Sequence, residues 1–96
     1  MNKVYFIRRK IVTLRSNEQI KMAHIVRELE QLKEVEPKDT DKVVAVYQQF
    51  DNANKTCHQL NITDAIERFE VENGPGLKSD YYVNIKRYYV ELFPLS

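Results

Sequence analysis

Glycine is almost missing from this chain of 96 residues: there are two, Gly74 and Gly76, and both flank Pro75. The first 73 residues contain none. That excludes glycine-dependent phosphate cradles and disfavours most tight hairpin turns. Cysteine is nearly missing too. The single Cys57 cannot close an internal disulfide, which suits a reducing compartment. Long apolar runs are lacking, and none approaches the roughly eighteen residues of a membrane span. The opening stretch "MNKVYFIRRKIVTLR" is broken by arginines, unlike the uninterrupted apolar segment of a secretory signal. The expectation is a cytoplasmic protein with no membrane partner.

Metal and catalytic patterns are lacking as well. Cys57 and His58 are adjacent, His24 is remote, and no second close pair completes a zinc site. On a helix, His58 would point about 100° away from Cys57, too far to serve it as a base. No phosphate-binding loop or dinucleotide fingerprint occurs. Neither enzyme activity, metal nor small-molecule cofactor is expected.

What the chain does have is ordinary globular composition, with 43% apolar and 30% charged residues, enough for a single domain over 1–96. The net charge of +1 hides a segregation. Residues 1–27 carry seven positive charges and one negative, and residues 28–73 carry five positive and eleven negative. Either the two regions neutralise each other within the fold, or they present opposite surfaces to partners.

Residues 3–15, rich in β-branched and aromatic side chains, read as a strand or hairpin. "SNEQ" at 16–19 reads as a capping box, opening a helix to about Val35 that Pro37 stops. Met22, Ile25, Leu29 and Leu32 form its apolar stripe. A second helix is expected from Asp39 or Thr40, with Val43, Val46, Tyr47, Phe50 and Cys57 on one face. A third is expected from Asn61 or Thr63, stopped by Asn73-Gly74. Residues 73–78 then form a turn or hinge. In "SDYYVNIKRYYVELFP", Tyr81, Tyr82, Ile85, Tyr88, Tyr89 and Leu92 fall at helical spacing, so a fourth helix is expected over 80–93. The expected fold is α+β and mainly α: an N-terminal strand or hairpin followed by about four short helices, the strand either lying on the helices or pairing with another chain's edge in a dimer.

Two stretches resemble known motifs. Residues 52–69, "NANKTCHQLNITDAIERF", are similar to a helix-turn-helix, though Asp64, Glu67, Glu70 and Glu72 on the second helix would repel a phosphate-lined groove. "YVELF" at 89–93 is similar to the short peptide by which bacterial proteins dock on the sliding clamp, with helix-end packing the preferred reading. Asn61-Ile62-Thr63 matches a glycosylation sequon but is read as structural.

By elimination and charge segregation, the expectation is a small non-enzymatic regulatory protein that acts by protein–protein contact, as a homodimer. Its partner-binding surface would be acidic: Glu28, Glu34, Glu36, Asp64, Glu67, Glu70 and Glu72. The four tyrosines Tyr81, Tyr82, Tyr88 and Tyr89 would line a core or interface stripe. The alternative is a nucleic-acid-binding regulator using Arg8, Arg9, Lys10, Arg15, Lys86 and Arg87.

Overall fold

A computed structural model describes residues 2–16, 20–71 and 80–95, the side chains of Ser16 and Asp80 excepted. The elements run β1 (Asn2–Ser16), α1 (Met22–Glu34), β2 (Lys42–Tyr47), α2 (Phe50–Thr63), β3 (Ile66–Val71) and β4 (Asp80–Leu95). The strands form one antiparallel sheet in the order β2-β1-β4-β3. The fold is therefore mainly β with two helices, which corrects the expectation of a mainly α chain with four.

The spine is the β1–β4 ribbon. It runs without a register break from Asn2↔Leu95 to Ser16↔Tyr81. The flanking strands are short and lie at opposite ends. β2 pairs with Tyr5 to Arg9, and β3 pairs with Asp80 to Ile85. The helices are staggered in the same way, and they lie on opposite faces of the sheet. Val12, Leu14, Val83 and Ile85 pack under Ile25, Leu29 and Leu32 of α1. Ile7, Tyr88 and Val90 pack under Cys57 and Leu60 of α2. Successive strand side chains alternate in face. Even positions of β1 and odd positions of β4 thus point to the α1 face, and the remainder to the α2 face. The molecule has two small cores, diagonally placed on either side of one ribbon.

This layout explains why the tail is a strand and not a helix. A strand covered on one face would bury every second residue. β4 buries Val83 and Ile85 toward α1, then Tyr88 toward α2. The change of face in mid-strand spaces its apolar residues as a helix would. β2 misleads for a different reason. A bulge opposite Ile7 and Arg8 puts Val44 and Ala45 on the same side, against Cys57 and Ile7. "VVAV" therefore loses its alternation. The segment expected as one helix from residue 39 is β2 followed by α2. The segment expected as the third helix is the last turn of α2 and then β3, so residues 52–69 are no helix-turn-helix.

Ser16 ends β1, and α1 starts at Met22, after an extended Lys21. Asn17 to Gln19, Glu72 and the expected hinge at 73–78 lie outside the described residues, except that the capping box's Ser16 is strand. "YVELF" is paired strand, in register with Val4 to Arg8. Pro94 sits within β4 and does not terminate it. The outward-pointing amides of β4 belong to even positions, since the Lys86 N–H donates to the Ala65 carbonyl and the Tyr88 N–H to the Asn61 side chain. The missing N–H of Pro94 therefore falls on the open edge, where no ladder bond is lost.

Candidate interaction surfaces

A polar belt separates the two cores, and it is built the same way on both faces. On the α1 face, Lys10 is buried and its Nζ lies 2.9 Å from Asp41 Oδ2. The Tyr89 hydroxyl donates to the same oxygen at 2.7 Å, and the Lys38 N–H donates to it at 3.1 Å. On the α2 face, Lys86 is buried and lies 3.3 Å from Asp64 and 3.5 Å from Glu67, while the Tyr88 hydroxyl donates to Asp64. Arg8 completes the α1 side. It pairs with Glu91 at 3.1 Å and donates to the Asp41 carbonyl at 2.8 Å.

These contacts set the titration behaviour. Burial alone would raise the Asp41 carboxyl, but the donors Tyr89, Lys10 and Lys38 outweigh it and hold it below the usual range. The Tyr88 hydroxyl, helped by Lys86, holds Asp64 low against its partial burial. The Asn84 amide and the Lys86 charge hold Glu67 low. Burial and then the Asp41 carboxylate push the Tyr89 phenol up to about 12. Tyr88 is raised by burial and by Asp64. Burial also pushes the Cys57 thiol up, against a nearby Arg87.

The nucleic-acid candidates are therefore divided, and Arg8, Lys10 and Lys86 are paired with carboxylates. Arg8, Lys10 and Arg87 point to the α1 face, and Arg9, Arg15 and Lys86 to the α2 face. The four tyrosines do not share a stripe. Tyr82 stacks on Phe69 at 5.3 Å and Tyr88 is buried, both toward the α2 face. Tyr81 lies under the Arg68 guanidinium and Tyr89 reaches Asp41, both toward the α1 face.

The acidic candidates do not gather either. Glu28 faces His24 along α1, and Glu34 and Glu36 are exposed at its end. Asp64 and Glu67 neutralise Lys86, and Glu70 lies on the opposite face of β3 from Glu67. Among the described residues no cluster of histidine, cysteine and carboxylates could hold a metal ion, and no helix is long and apolar enough to cross a membrane. Asn61 of the sequon bridges α2 to the sheet. Its amide accepts from Tyr88 N–H at 2.7 Å and donates to Tyr88 C=O at 3.0 Å, in place of a neighbouring strand.

The staggered helices leave two quarters of the sheet uncovered, and these differ in chemistry. Beyond the belt on the α2 face lie Thr13, Asn84 and Glu67, hydrogen-bonded in a row, as a solvated face would be. Beyond the belt on the α1 face lie Val4, Phe6, Val43, Val46, Phe93 and Leu95. Phe6 and Phe93 stack at 4.9 Å, yet Val46 remains 55% exposed and Phe93 43%. The Arg8–Glu91 pair borders this patch, with the Arg8 guanidinium 5.6 Å from the Phe6 ring centre. Sequence reasoning missed the patch because its residues come from three strands, two of which were expected as helix. Comparison with known proteins returns no matching family model, no matching curated protein and no matching solved structure, so the chemistry of these surfaces rests on their own geometry.

Proposed function

We propose that this is a non-enzymatic, cytoplasmic regulatory protein that works by binding another protein, and that the uncovered apolar quarter of the sheet is its docking face. The observation that carries this is the exposed row Val46, Phe93 and Leu95 over the stacked Phe6. Contiguous apolar surface of this kind, edged by charge, marks interaction sites on soluble proteins. The overall shape supports it. A compact chain of this mass would expose about 5,800 Å², whereas this one exposes 7160 Å². Its radius of gyration is 16.4 Å, against about 12.5 Å for a compact domain of this length.

The geometry lends less support to binding by the acidic residues, which are scattered, or to nucleic-acid binding, since Lys10 and Lys86 are buried against carboxylates. Cys57 suits structure better than catalysis, because its thiol is raised and its hydrogen-bond partner is the Asn61 amide, not a base. The test places a photo-reactive phenylalanine at Val46 or Phe93, with Glu70 and Lys55 as exposed controls. A discrete partner captured from the two patch positions and not from the controls is expected. Equal capture everywhere, or a salt-sensitive mobility shift of nucleic acid without any protein capture, overturns this reading.

A further inference from the structure

The outer end of the α1 face holds a cavity that neither the belt nor the docking face uses. α1 packs on residues of β1 and β4, and β3 is the edge strand beyond β4. Ile66, Arg68 and Glu70 of β3 pair with Ile85, Val83 and Tyr81, so their side chains share the α1 face. A cavity of about 230 Å³ lies between that shelf and the start of α1. Ile25 and Val83, both buried, line it together with Met22, Ile66 and Tyr81. Met22 is 66% exposed and Ile66 42%, so the cavity is open to water.

Arg68 also lines it. Its guanidinium sits 5.0 Å from the Tyr81 ring centre and makes no ion pair or side-chain hydrogen bond among the described residues. That sets it apart from Arg8, Lys10 and Lys86, each of which has a carboxylate beside it. Glu70, two residues on along the same face, is exposed and is not paired with Arg68. α1 begins beside the cavity, with Lys21 just before it and no acidic residue in its first turn, so the field there adds to that of Arg68.

We propose that this cavity binds a small apolar monocarboxylate, with Arg68 taking the carboxylate and the apolar lining taking the body. A guanidinium meets a carboxylate through two parallel N–H···O bonds. An apolar lining strengthens such bonds by lowering the local dielectric. One cation balances one negative charge, so a dianion would give up more hydration than the site returns. Size sets the body. An apolar cavity of about 150 Å³ holds one benzene ring, so 230 Å³ takes a ring and its carboxylate, about nine heavy atoms. Benzoate is the simplest such molecule. No carboxylate, histidine or cysteine is among the described lining residues, which suits binding and not nucleophilic chemistry. The proposal goes beyond the protein-docking reading and does not rest on it.

The test is a benzoate titration followed by NMR of the Met22, Ile25 and Ile66 methyl groups. Their signals should shift saturably, with a Kd of about 0.1–1 mM for a molecule of this size. Benzyl alcohol, the same ring without the charge, should bind about tenfold more weakly. Arg68→Gln should bring benzoate down to the level of benzyl alcohol and leave benzyl alcohol unchanged. Arg68 is exposed on an edge strand, so that variant should fold. Ile66→Trp fills the cavity from its exposed side and should remove both. Three results overturn the proposal: no saturable shift at these methyls, acetate displacing benzoate at equal concentration, or Arg68→Gln binding benzoate as the unaltered chain does. Capture at Val46 and Phe93 would be untouched by any of them, so the two readings fail separately.

Discussion

Asp41→Ala is the sharpest probe of the polar belt. It removes the acceptor shared by Lys10 at 2.9 Å, Tyr89 at 2.7 Å and the Lys38 amide at 3.1 Å. Lys10 keeps its hydrogen bond to the Glu36 carbonyl at 2.6 Å but loses its counter-charge. Removing one member of a buried pair costs about 3–5 kcal/mol. The retained carbonyl puts this site at the lower end, about 3 kcal/mol. A domain of 96 residues has about 5–14 kcal/mol in all, so the variant should lose a substantial share of it. Asp64→Ala is the matched control. It makes the same kinds of contact, but its side chain is 43% exposed against 13% for Asp41, and Glu67 stays beside Lys86. Its cost should be about 1 kcal/mol, because water screens the pair. Urea unfolding, compared at unchanged m, measures both. Lys10→Met added to Asp41→Ala should recover much of the loss, since the uncompensated ammonium is then gone. A cost under about 1 kcal/mol for Asp41→Ala, or equal costs for the two aspartates, refutes the idea that burial sets the worth of each half of the belt.

Three further expectations concern other parts of the molecule. Asn61→Ala should cost about 1–3 kcal/mol, because it strands both backbone groups of Tyr88 at a covered edge; thermal or urea unfolding would show it, and a loss within error would mean water replaces the amide. Ultraviolet titration of the six tyrosines should show a late phase, with Tyr89 ionising near 12 and Tyr88 also above the usual phenol range. Their folded pKa values are raised, so the stability they contribute is whole below about pH 10 and fades as pH climbs through the folded values; a single transition near the ordinary phenol value in folded protein contradicts this. Asp41 and Asp64 have lowered folded pKa values, so their contribution is present above about pH 4 and is lost as pH falls through the folded values. Acid unfolding of Asp41→Asn should be correspondingly flatter, and an unchanged acid limb would count against the assignment.

Two parts of the fold were legible in sequence, one by composition and one by its single covered face. Residues 3–15, expected as strand, are strand, because β-branched and aromatic side chains fit a pleated surface whichever face is buried. The helix ending before Pro37 was legible from the stripe Ile25, Leu29 and Leu32, all of which face the sheet. β4 was not, because its buried side switches between Ile85 and Tyr88 and so imitates a helical period. Nor was β2, where the bulge at Val44 and Ala45 erases the alternation. β3 was hidden by composition: Glu67, Arg68 and Glu70 leave little apolar pattern, and its strand state depends on pairing with β4. The basic and acidic segments were visible as opposites, and within the fold Lys10 of the first pairs with Asp41 of the second. Which surface stays open was not visible at all, since that follows from the stagger of the two helices and no local pattern encodes the stagger.

The belt also bears on how the molecule comes apart. Ile25, Leu32, Val83 and Ile85 form one oily nucleus, and Ile7, Cys57 and Tyr88 another, with charged side chains between them. Loosening one nucleus leaves the other's contacts standing, while the uninterrupted β1–β4 ladder runs through both halves. Such an object behaves less like a droplet than like a plank clamped at either end from opposite sides: each clamp can slip by itself, and a tug at one reaches the other along the grain of the wood.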